Sequence, residues 1–256
     1  MLLRVLACEI GDDALFAGAL ERYLLNTAKF FAKYPLTSLA LDDPRYDPAS
    51  DHNSWSGPTN FLTLIRAPHA FEAHHRHVEL SWILQPTLSA LFRADRFPQT
   101  LNPFTGEAGF TETYSPAILC LLDFVERLCG IQPRPDGTLW FTGLTPQQIE
   151  HRDIAHETGY GRTVDGQVFE LVNSATQMAV YRDGAPLFSA PRGVRVVTDR
   201  HGRIRGVVGM RATEVTGELV TGSGRLELAL GPNEQLDLEG DRLVRRRAPD
   251  LIAPVS

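Results

Sequence analysis

A chain of 256 residues has room for one large domain or two small ones, and hydrophobic residues at 43% with charged residues at 22% exclude a disordered or fibrous protein. Lys+Arg 25 against Asp+Glu 31 gives a net charge of -6, which argues against nucleic acid as the main partner. No apolar run approaches the ~20 residues of a membrane span, and Arg4 and Glu9 interrupt the apolar start, so neither a membrane partner nor a signal peptide is expected. Cys8, Cys120 and Cys129 form no disulfide framework and no CxxC metal site, which fits a reducing, cytoplasmic setting.

The first half reads as helix. Asp12 or Asp13 can cap a helix whose apolar face carries Leu15, Phe16, Ala19, Leu20, Tyr23, Leu24, Ala28 and Phe31, with Pro35 closing it. A long loop rich in Pro, Asp and Ser follows, from Pro35 to Pro58; loops of that length inside a compact domain are usually functional. A second helix is expected after Pro58 through Phe61, Leu62, Leu64 and Ile65, with Pro68 kinking it or starting it anew. A third runs from His77 to Phe92 and is disturbed by Pro86. The fourth is the clearest: Ser115 as N-cap, Pro116 at the first position, Ile118, Leu119, Leu122, Val125 and Leu128 in register, and Gly130 at the C-cap.

From Gly137 the period changes. Val168–Val172, Gln177–Tyr181, Gly193–Thr198, Arg203–Gly209 and Arg225–Leu230 alternate or form short β-branched runs, separated by turns such as Asp183-Gly184 and Glu239-Gly240. Strands at that spacing predict an antiparallel β-sandwich. The fold class expected is therefore α + β in separate domains, with helices over 1–143 and the sandwich over 144–256.

The loops carry the functional signal. An Asp-Asp-Pro-x-Tyr element (Asp42, Asp43, Pro44, Tyr46) precedes a Trp-x-Gly-Pro loop (Trp55, Gly57, Pro58). An Asn-Pro-x-Thr-Gly turn (Asn102, Pro103, Thr105, Gly106) and the aromatic Tyr114 then precede the capped helix. In this order the segments over 31–130 resemble the C-terminal half of the (α/α)6-barrel glycoside hydrolases, the clan of α-glucosidases, mannosylglycerate hydrolases and trehalase-like enzymes. The resemblance implies a partial toroid with a C-terminal β-sandwich, and a site for a small α-linked sugar at the barrel mouth. It implies no cofactor, and a further helical half on this chain or another. It also places Trp55, Tyr46 and the Asn102–Thr105 turn on one concave face.

The residue types suit that chemistry. Sugar sites set flat aromatic rings beside polar side chains on loops. Trp55, Tyr46, Phe104, Phe110 and Tyr114 supply rings; Asp51, Asn53, Asn60, Gln99, Asn102, Glu107 and Glu112 supply polar groups. Hydrolysis with inversion needs two carboxyl groups ~6.5–9.5 Å apart. In the resembled family the acid is an aspartate of the first half, and the base is a glutamate shortly before the Asn-Pro-x-Thr-Gly turn. Here that position is Gln99, which can hold a water but cannot take its proton. Glu112 and Glu107 are the nearest replacements. The chain alone is expected to be inactive, and a non-catalytic carbohydrate-binding or assembly module is the alternative. His74, His75, His77 and Glu79 raise the idea of a metal, but without an HExxH or cysteine partner they read as a polar turn between helices. Arg245, Arg246 and Arg247 read as a solvated strand edge.

Overall fold

The computed structural model describes residues 2–50, 52–110, 113–146 and 157–256. Two compact units emerge: 2–124 with Ile252–Ser256, and Val125–Pro146 with 157–251.

The first unit begins with α1 (Leu2–Leu6) and α2 (Asp13–Ala19). Asp12 caps α2, its carboxylate accepting the Leu15 N–H at 2.8 Å. A π-helical turn, Leu20–Leu24, follows, and helix ends there although the apolar spacing continues to Phe31. The reason lies far along the chain. Val255 donates to the Leu25 carbonyl at 3.0 Å and accepts from Thr27 N at 2.8 Å, so the tail takes backbone groups that a longer helix would use. The Asn26 carbonyl then takes the N–H groups of Lys29, Phe30 and Phe31 in a tight turn.

Short α3 (Phe61–Leu64) leads to α4 (Ala67–Ala73), which has Pro68 in its first turn, where the missing N–H leaves no bond unmade. The helix does start anew at this proline. α5 (His77–Arg93) is the long helix of the unit and passes through Pro86 unbroken. It is buried nearly all round, from Val78 and Leu80 on one side to Glu79, Gln85 and Ser89 on others. Tertiary contact therefore outweighs the ordinary cost of an interior proline. Thr87 supports this stretch by donating to the Pro35 carbonyl at 3.1 Å. Three two-residue strands, β1 (Thr59–Asn60), β2 (Thr100–Leu101) and β3 (Ala108–Gly109), form a small antiparallel sheet. α6 (Ser115–Cys129) spans the expected residues, and the division between units falls within it after Phe124.

The second unit is an antiparallel sandwich. Its strands are β4 (Ile131–Pro133), β5 (Thr138–Thr142), β6 (Thr158–Val164), β7 (Gln167–Asn173), β8 (Gln177–Arg182), β9 (Ala185–Pro191), β10 (Val194–Asp199), β11 (Ile204–Gly209), β12 (Val215–Thr221), β13 (Gly224–Leu230), β14 (Gln235–Glu239) and β15 (Arg242–Arg247). One six-stranded sheet has the order β15-β14-β11-β10-β5-β4, the other β13-β12-β9-β8-β7-β6. Inward residues of both sheets make one core: Leu139, Phe141, Val194, Val196 and Val207 face Phe169, Leu171, Val180, Phe188 and Leu219. Phe141 meets Phe188 edge-on at 5.4 Å.

All five strands expected from alternation are present. β4 and β5 start before the residue at which a sandwich was expected. Three residues ending in proline show no period, and Leu139-Trp140-Phe141 is a continuous apolar run. β12 places Thr216, Gly217 and Glu218 outside in succession, so its sequence carries no alternation to read. Arg195 breaks the rule that charge faces outward. Only 2% exposed, it donates to Thr142 Oγ1 and to the Arg127 carbonyl, each at 2.9 Å, and lies over the Trp140 ring at 4.3 Å. Arg245 pairs with Glu234 and Arg246 with Asp237, so the arginine run is an edge strand held by charges.

Candidate functional site

In the first unit a hollow of about 360 Å³ opens beside Trp55. Leu2, Leu3, Leu24, Phe30 and Leu36 give it an apolar wall, and Arg4, Thr37, Ser38 and Thr63 give it polar groups. Trp55 is 41% exposed, and the Arg4 guanidinium stands 5.4 Å from the centre of its ring. None of the described residues lining the hollow is a carboxylate.

The Trp55 loop is held by side chains, because it has no regular ladder. Asn53 Oδ1 accepts the Trp55 N–H at 3.0 Å, and Ser50 Oγ accepts the Asn53 N–H at 3.0 Å. Ser54 is the anchor: its carbonyl takes Asn60 Nδ2 and its hydroxyl takes Gln99 Nε2, both at 3.2 Å. Gly57 follows because the backbone of Asp47 passes so close that a Cβ there would meet its carbonyl carbon and oxygen at 2.8 Å. The Trp-x-Gly-Pro signal thus has a packing cause as well as an exposed ring.

Trp55 and the Asn-Pro-x-Thr-Gly turn contribute to different hollows. Thr105, Gly106 and Glu107 line a second hollow of about 260 Å³ with Arg93 and Asp95, and it shares no residue with the Trp55 hollow. β1 pairs with β2 between the two loops, Thr59 opposite Leu101 and Asn60 opposite Thr100. The Asn102 turn is locally satisfied: Asn102 Oδ1 accepts from Phe104 N at 2.9 Å and Thr105 N at 3.2 Å. Gly106 closes it at φ +73, packed so tightly on Tyr34 and Arg93 that a Cβ would meet them at 2.7 Å. The periodicity of the chain could not reveal this, since Tyr34 N reaches the Pro103 carbonyl across 69 positions.

The remaining residues divide in the same way. Asn60 is fully buried and caps α3, accepting from Leu62 N at 2.9 Å. Gln99 is half-buried and lines neither hollow; it positions Ser54, next to Trp55. Tyr46 packs under Gly57, its hydroxyl oxygen is buried without a partner among the described residues, and burial, with Asp47 nearby, pushes its pKa up to about 12. Asp43 is held at about 2 by its hydrogen bonds with Arg45, a surface pairing. Tyr114 is partly exposed, donates its N–H to Phe97 O at 2.9 Å and lines neither hollow. Glu107 is exposed and accepts from Thr105 Oγ1 at 3.1 Å. Glu112 and Asp51 lie outside the described residues. Arg4, Thr37, Ser38 and Thr63 escaped the sequence reading, because isolated polar residues in loops and short helices have no distinguishing spacing.

In the histidine segment, His74 and Glu79 are both buried. His74 Nδ1 lies 2.6 Å from Asp13 Oδ1, and its ring stacks on Phe16 at 4.2 Å. Glu79 is fully buried, lies 3.3 Å from Arg76 and accepts the Ile252 N–H at 3.0 Å. Among the described residues no group of three or more His, Cys, Asp or Glu could hold a metal, and no helix is long and apolar enough to cross a membrane.

No family model matches the chain, and no curated protein matches it. Among solved structures, it is similar to a GH63 mannosylglycerate hydrolase from Thermus thermophilus in complex with Tris, at 23% identity over 35% of this chain, with a TM-score of 0.31. It is also similar to an uncharacterized conserved protein from the same organism, at 20% identity over 36% of this chain, with a TM-score of 0.30. The aligned part spans 21% and 23% of those two chains, about a fifth of their length.

Proposed function

We propose that the first unit is a partial (α/α)6 toroid that binds a small, α-linked carbohydrate at Trp55 and, with its own groups, does not cleave it. The observation that carries this reading is the Trp55 hollow. It joins an exposed indole to hydroxyls and a guanidinium, the mixture that a sugar's C–H face and rim require. The order of the Trp-x-Gly-Pro and Asn-Pro-x-Thr-Gly segments supports it. The non-catalytic reading is favoured over hydrolysis because the described lining holds no group able to take a proton from water near neutral pH.

Calorimetric titration with maltose, trehalose and methyl α-glucoside tests binding. At least one is expected to bind, and Trp55→Ala is expected to weaken it at least about tenfold. Unchanged affinity in that variant would reject the site. For catalysis, the chain is expected to release no glucose from these sugars. If it does, and Glu107→Gln or Glu112→Gln abolishes release, the non-catalytic half of the proposal fails and the carboxylate is identified.

A further inference from the structure

Two arginines in the sandwich unit, Arg192 and Arg211, lie together with no ion pair to a described carboxylate. The strand β9 passes into β10, and so from one sheet to the other, through the turn Arg192–Gly193. Backbone bonds pin this turn: Arg192 N to Thr176 O at 2.9 Å, and Gly193 N to Gly143 O at 2.7 Å. Met210 N donates to Gly193 O at 3.0 Å, which brings Arg211 alongside. The Arg211 side chain lies across Gly193, where an added Cβ would meet its Cδ at 2.6 Å and its Nε at 2.9 Å. Arg192 Nε is buried without an acceptor among the described residues, and its Nη1 donates to the Ala175 carbonyl at 3.4 Å. Burial, and then the charge of Arg211, lower the Arg192 pKa. Arg192 thus carries a buried Nε–H donor with no acceptor among the described residues, one residue from the glycine that the Arg211 side chain crosses.

We propose that Arg192 and Arg211 form a binding site for a phosphate-like oxyanion, either free phosphate or the phosphoryl group of a small metabolite. Planar guanidinium groups match the oxygens of such an anion through paired N–H donors. The site is separate from the carbohydrate reading and stands or falls without it. Nothing in the sequence marked it, because the two arginines are 19 positions apart, in different turns.

The test is titration of the full chain with inorganic phosphate at constant ionic strength, following the arginine Nε–Hε resonances by NMR. The Arg192 and Arg211 signals are expected to move saturably. Arg211→Gln, at an exposed side chain, is expected to weaken binding at least about tenfold without lowering the phosphate-free melting temperature. Arg192→Gln is the second variant, with the same expected loss. Signals that do not move, or the parent's affinity in both variants, would overturn the proposal. Glucose 1-phosphate separates the sources: tighter binding than phosphate identifies a metabolite, and equal or weaker binding identifies free phosphate.

Discussion

The sandwich and the helical unit stabilise their backbones in opposite ways. In β7 the burial alternates, with Phe169, Leu171 and Asn173 inside and Val168, Glu170 and Val172 outside, while the neighbouring strands β6 and β8 satisfy its backbone. In the first unit the described residues over 27–58 form no helix and no extended strand, yet Tyr34 and Leu36 are buried. Its backbone is met by scattered partners: Leu41 N by Lys29 O at 2.7 Å, Asp47 N by Ser56 O at 2.7 Å, and Gly57 N by Ser38 Oγ at 3.1 Å. Buried backbone must be hydrogen-bonded in either case. A ladder does this with any side chain that packs, whereas an irregular loop needs particular residues at particular places. Substitutions should therefore follow size in the sandwich and local geometry in the loops.

The largest effect is expected at Phe141, fully buried between Phe169 and Phe188. Phe141→Ala should cost about 3–5 kcal/mol in denaturant unfolding followed by circular dichroism. Amide exchange should quicken across the sandwich strands; a change confined to β5 would show that the core is less cooperative than its packing implies.

Next comes Glu79→Leu, which removes the acceptor of the Ile252 N–H and a carboxylate beside Arg76. A loss of about 3 kcal/mol is expected, together with faster trimming of the C-terminal tail by carboxypeptidase. A more stable variant would mean that the buried pair serves specificity alone.

Gly106→Ala should cost about 1–3 kcal/mol, since φ +73 and the contacts with Tyr34 and Arg93 both oppose a Cβ. Thermal melting reads it. A neutral result would show that the loop yields more readily than its packing suggests.

Asp199 supplies the pH arm. Burial raises its pKa, but N–H groups of Arg203 and His201 and the charges of Arg205 and Arg203 outweigh this, so the net shift is downward. A carboxylate with a depressed folded pKa stabilises above its unfolded value of ~3.9, and that contribution disappears as pH falls through the folded value. Asp199→Asn should lose about 1 kcal/mol at pH 7 and show a shallower decline on acidification. Parallel pH profiles for the two proteins would remove Asp199 from the acid response.

The smallest effect is expected at exposed Glu107, where Glu107→Gln should stay within about 0.5 kcal/mol of the parent in thermal melting. A larger loss would mean that its bond with Thr105 supports the turn.

The local elements were legible in the chain before any coordinates. Pro68 in a first turn, Asp12 as a cap, Gly130 after α6, and alternation in β7, β8, β10, β11 and β13 act over a few residues, and the structure retains them. Other features came from the packed chain alone. Folding buried Arg195 and carried α5 through Pro86. It ended helix at Leu24 by bringing Val255 to Leu25 and Thr27. It also put Trp55 on one hollow and Thr105 on another, although their motifs sit in the expected order. The difference is one of range. Periodicity and capping report on neighbours within a turn or a hairpin, whereas a cavity wall or a buried charge is made by groups scores of residues apart, whose meeting no local pattern encodes.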